Sequence, residues 1–175
     1  STIDSADAVA KQAAQLGIAT KEFQVWSTWA DLAGATTQEL QTGIRTLADG
    51  LDRAATTAKG PAAEAFDRLG IEIKDAEGAT RPLMQVFSEV GQALAATESK
   101  TDRLALAQRL MGRSSMRLLP GFRGGSKALE EQMQILEDLA VVYDGQFLAK
   151  AEAAKDEISL MSLQWQGLKS QILFA

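Results

Sequence analysis

The chain has 175 residues, 46% hydrophobic and 23% charged, with a formal net charge of -5, enough for an ordinary folded domain with a real core and not a disordered or collagen-like composition. It contains neither Cys nor His, which removes disulfide frameworks, thiolate nucleophiles, Ser-His-Asp relays and zinc sites of the usual ligand types. Only three Pro are present, and Ala, Leu, Gln, Glu and Lys outweigh the β-branched and aromatic residues that strands prefer, so the expectation is mostly α.

No run of about 18 apolar residues occurs, and the opening STIDSADAVAKQ has neither the basic nor the apolar region of a secretory signal. The chain starts without Met and stops inside the apolar pattern LKSQILFA, as expected of a piece of a longer polypeptide.

In chain order, Leu16-Gly17, Ala33-Gly34, Leu69-Gly70 and Met111-Gly112 each place a Gly just after an apolar segment, which predicts four helix stops. GIATKEF (17 to 23) and GATTQEL (34 to 40) repeat one G-x-x-T-x-E-apolar frame, with a Thr and an early Glu where free N–H groups and the helix dipole favour them. The capping box proper, Thr36 with Glu39, is intact in the second copy, whereas Ala19 breaks it in the first. Helices are therefore predicted over 4 to 16, 21 to 33, 37 to 56 and 62 to 69. Trp26, Trp29 and Leu32-Ala33 recur at helical spacing beside Phe23, the pattern of a core face rather than a ligand box.

The segment IEIKDAEGATRP alternates apolar and polar at Ile71 and Ile73 and turns at Asp75 to Gly78, which predicts a small β-hairpin within 71–82. Helical patterns resume at Leu83 to Ala95 and Asp102 to Met111, with one further turn over Ser114 to Leu119. Pro120-Gly121 interrupts the chain, and Gly124-Gly125-Ser126 predicts a loop and an N-cap opening a helix from Lys127 to about Val141.

After Asp144, the residues Phe147, Ala151, Ala154, Ile158, Met161, Trp165, Leu168 and Ile172 are spaced alternately four and three apart. That unbroken heptad seam predicts a long helix, the start of a coiled coil or of a packed helical stalk. Leu160, Leu163 and Phe174 widen the stripe and favour three or more helices over two. The expected architecture is a compact multi-helix domain over 1–142 followed by this helix over 143–175.

Charge is segregated. Residues 103 to 129 hold six basic side chains and no acid, leaving 12 Lys plus Arg against 23 Asp plus Glu, or -11, in the remainder. Within RLMGRSSMRLLPGFRGGSKAL, Arg109, Arg113 and Arg117 lie four apart and would share a face if their helix ran past Gly112; Arg123 follows the Pro-Gly break. No aromatic residue interleaves them before Phe122, no nucleic-acid motif is present, and an acidic body repels DNA, so these arginines are expected to meet acidic neighbours or partners. The glycines lack the spacing and the preceding strand of a phosphate loop. Glu98-Ser99 at the end of an apolar helix matches the catalytic pair of lytic transglycosylases in placement, without the downstream Gly-Leu-Met-Gln motif.

The ordered set KEFQVWSTWADLAGATTQEL, AAEAFDRLGIEIKDAEGATRP and RLMGRSSMRLLPGFRGGSKALEE resembles the helical domain of bacteriophage tail tape measure proteins, over roughly residues 6 to 140. Family members commonly carry Phe-Gly-Arg-Ser/Ala-Gly where this chain has Met111-Gly112-Arg113-Ser114-Ser115. The resemblance implies an elongated helical protein of the virion, held in the tail-tube lumen, that templates tail length and leaves during genome delivery. It implies assembly in the host cytoplasm with tail assembly chaperones, the tail tube protein and tail-tip proteins, and self-association through the C-terminal helix. It implies no catalytic residue, cofactor or metal for this segment. The candidate interaction residues are then Arg109, Arg113, Arg117 and Arg123, with Phe147, Ile158, Met161, Trp165, Leu168 and Ile172 on the seam. Rival expectations are a helical interaction module of a non-phage protein and, more remotely, a cell-wall enzyme of transglycosylase type.

Overall fold

A computed structural model describes the backbone of residues 2–142 and the side chains of 8–138 apart from Ser114. The described chain is mostly helical: α1 (Thr2–Leu16), α2 (Thr20–Ala33), α3 (Thr37–Thr57), α4 (Pro61–Leu69), α5 (Leu83–Ala96), α6 (Lys100–Met111), the short 3-10 helices η1 (Arg113–Arg117) and η2 (Leu119–Phe122), and α7 (Gly125–Val142). The four predicted stops fall at helix ends. α7 begins ahead of the expected position, so Ser126 lies inside its first turn rather than capping it. The heptad seam from Phe147 onward, and with it the expected 143–175 helix, lies outside the described residues.

The expected hairpin is reduced to a turn. Among the described residues there is no strand, and residues 71–82 carry a single antiparallel bridge between Lys74 and Thr80. The turn is tied locally, because the Asp75 carboxylate accepts from the backbone N–H groups of Glu77 at 3.1 Å and Ala79 at 2.8 Å. What is missing is a buried face: Ile71 is buried while Ile73 is only half-buried, and two apolar residues do not hold a two-stranded ribbon in water. Arg81 anchors the return instead, donating to the Glu72 carbonyl at 2.8 Å and pairing through both nitrogens with the Glu89 carboxylate.

Among the described residues the contacts divide the chain into two units, residues 2–32 with 124–142, and Ala33–Arg123. In the first, α2 buries Phe23, Val25, Trp26, Trp29 and Ala30. The two indoles meet edge to face with centroids 5.1 Å apart, an arrangement that suits their quadrupoles. The Trp26–Trp29 face is thus core, as its spacing predicts.

In the second unit α3 is the hub and packs against α4, α5, α6 and η1. Its buried residues Leu40, Gly43, Ile44, Leu47, Gly50, Leu51 and Ala54 follow the three-and-four spacing of one helical stripe. The cap is the predicted one: Thr36 Oγ1 accepts from Glu39 N at 3.1 Å, and the Glu39 carboxylate accepts from Thr36 N at 2.8 Å. Two glycines on the stripe let neighbours approach closely. A Cβ at Gly43 would lie 3.3 Å from Ser115 Cβ, and one at Gly50 would lie 3.3 Å from Ala62 Cβ.

Candidate functional site

The basic stretch does not form a ridge. α6 ends at Met111, and Gly112 turns the chain with φ 82 and ψ 168, a left-handed value that side chains disfavour. Arg109 and Arg117 are thereby sent to different neighbours. Arg109 Nη1 lies 4.0 Å from Glu64 on α4, with both side chains largely exposed. Arg117 Nε lies 3.6 Å from the Glu39 carboxylate, so the residue that completes the α3 capping box also meets η1. Each is a loose surface pair of small energetic weight, and the expected meeting with acidic neighbours is seen at these two positions. Arg113 is exposed at the start of η1.

Arg123 goes elsewhere. It closes a cleft of about 150 Å³ with Lys100 and Arg103 from the start of α6, over Leu104, Met116 and Pro120. Arg103 is half engaged, donating from Nη1 to the Thr97 carbonyl at 2.9 Å. No carboxylate lines this cleft. Lys100 lies outside the basic stretch read from sequence, although its i, i+3 spacing to Arg103 was a legible sign of a shared face.

Two other concavities were not foreseen. An open groove of about 630 Å³ runs between the end of α3, α4 and residues 70–74, with an apolar floor at Ala54, Ala63, Phe66 and Ile71. A second, of about 420 Å³, is lined by Lys21, Glu22, Val25, Trp26, Met133 and Glu137. There, partial burial and then the neighbouring Glu137 raise the Glu22 carboxyl above the usual carboxylate range. Among the described residues no group of three or more Asp or Glu side chains is placed to hold a metal ion.

Glu98 is exposed in the link between α5 and α6. Ser99 beside it is the N-cap of α6, its Oγ accepting from Asp102 N at 3.3 Å. Among the described residues no helix is long and apolar enough to cross a membrane. The seam candidates Phe147, Ile158, Met161, Trp165, Leu168 and Ile172 lie outside the described residues.

Compared with known proteins, the chain matches no family model, and neither the curated proteins nor the solved structures contain a significant match.

Proposed function

We propose that this chain is a structural segment of a tail tape measure protein, acting without chemistry of its own as part of the elongated element that sets tail length and is released as the genome is delivered. The observation that carries the reading is the order of three sequence words between Lys21 and Glu131, from the Trp-bearing helix through the Ile71–Pro82 turn to RLMGRSSMRLLPGF. The packing of the most family-like word adds support. Met111 and Ser115 are fully buried, and Ser115 sits against Gly43 of α3, so the word encodes a small-residue contact between helices.

On this reading the segment assembles with tail tube protein, assembly chaperones and tail-tip proteins, and the stretch after Asp144 continues as a long helix that joins copies through its seam. The test is tail length. In-frame deletions after Asp144 shorten assembled tails by about 1.5 Å for each helical residue removed, read from electron micrographs of purified virions. Unchanged tails overturn the reading.

A further inference from the structure

The charge of this chain is distributed as though two of its surfaces were made for each other. Among the described residues, the exposed large hydrophobic side chains are Leu104, 43% exposed, and Ile135, 42% exposed. A single exposed aliphatic residue needs no explanation; the surroundings of these two do. Leu104 lies in the cleft with Lys100, Arg103 and Arg123, where Lys100 and Arg123 have no ion-pair partner among the described residues. Ile135 lies on α7 with Glu131 one turn before it and Asp138 one turn after, on one helical face. All three are exposed. Glu131 has no ion pair among the described residues, and Asp138 accepts a neutral hydrogen bond from Gln134 at 2.9 Å. Lys127 lies on the same face two turns back.

We infer that the Lys100–Arg103–Arg123 cleft of one copy receives the Glu131–Ile135–Asp138 face of α7 from a second copy. The cleft, at about 150 Å³, has room for one aliphatic side chain, so Ile135 enters beside Leu104 while the Glu131 and Asp138 carboxylates meet the cations at the rim. Apolar contact supplies the burial and the opposed charges fix the register. Because the two surfaces differ, the contact is heterologous: each copy offers a free cleft and a free α7, and association is open or ring-closing rather than limited to a symmetric pair. The inference rests on charge and exposure alone and is independent of the tape measure reading.

The chain has no Cys, which makes the test direct. Leu104→Cys and Ile135→Cys are prepared as separate full chains and oxidised alone and as a mixture. The expected result is a disulfide-linked dimer in the mixture and little in either alone; cross-linking no greater in the mixture than in each variant alone overturns the inference. A second pair separates this contact from any association through the C-terminal seam. Lys100→Glu with Arg123→Glu in one chain, and Glu131→Lys with Asp138→Lys in another, each weaken self-association about tenfold or more in sedimentation experiments. Mixing the two reversed chains restores it, since acid again faces base at both contacts. These changes sit at exposed positions, and unchanged circular dichroism confirms folding. A native chain that is monomeric at every concentration, reversals that leave the mass unchanged, or a mixture that fails to recover overturns the inference.

Discussion

Ala58 closes α3 with φ 52 and ψ 19, and it is the residue other than glycine with positive φ among those described. An L side chain pays about 1–2 kcal/mol in that region because Cβ crowds the carbonyl oxygen. Ala58→Gly is therefore expected to raise stability by about 1 kcal/mol, read as a higher urea midpoint with unchanged slope. Sequence pattern places a stop near here but does not mark Ala58, since a helix that ends on alanine has no compositional signature. Ser115 is the opposite case. It follows Gly112 by three residues in a turn-rich stretch, yet its own φ is not positive. What the position demands is small size against Gly43, and its hydroxyl is satisfied by donating to the Gly112 carbonyl at 2.6 Å.

At the level of helices meeting helices, α5 and η2 are joined through Phe122. Its ring lies across Gly91, where an added Cβ would come within 2.6 Å of several ring carbons, and meets Phe87 edge to face with centroids 5.9 Å apart. In an exposed helix Gly→Ala adds about 1 kcal/mol of stability. Here the overlap reverses the sign: Gly91→Ala is expected to destabilise by about 1–3 kcal/mol, and a rise in melting temperature would refute this packing.

A second link joins α4 to α6, where Arg68 Nη2 lies 3.0 Å from the Asp102 carboxylate. The Arg68 hydrogen bond, then that from Ser99, hold the Asp102 carboxyl below its ordinary range. A depressed folded-state pKa contributes stability above the unfolded value, near about 4, and loses it as the pH falls through the folded value. Asp102→Asn should therefore flatten the acid end of the stability curve, with a small effect at neutral pH that fades with salt, since both side chains are about half exposed. The measurement is the urea midpoint from about pH 2 to pH 7. A helix start near Asp102 was legible in the sequence; its partner 34 residues earlier was not, because no local pattern marks a pair formed by folding.

Among the described residues, the starts of α6 and α7 fall a residue or two ahead of their expected places, while the four Gly stops, the Thr36–Glu39 box and the Trp26–Trp29 core face were readable in advance. Each depends on interactions within about one turn, so residue order alone specifies it. The hairpin failed by the same logic run further: its turn chemistry is local and present, but strand pairing needs a buried face that Ile71 and Ile73 do not provide. Nor was the division into Ala33–Arg123 and its flanking unit legible, because which helices share a core depends on contacts between distant segments. The basic stretch shows both sides of this. Its composition and its break at Gly112 follow from the order of residues, a glycine with positive φ ending one helix before the next begins. The assignment of Arg109 to Glu64, Arg117 to Glu39 and Arg123 to the cleft with Lys100 follows from packing. Side chains far apart in sequence acquire partners only when the helices that carry them are brought together, and charge alone does not say which acid will be near.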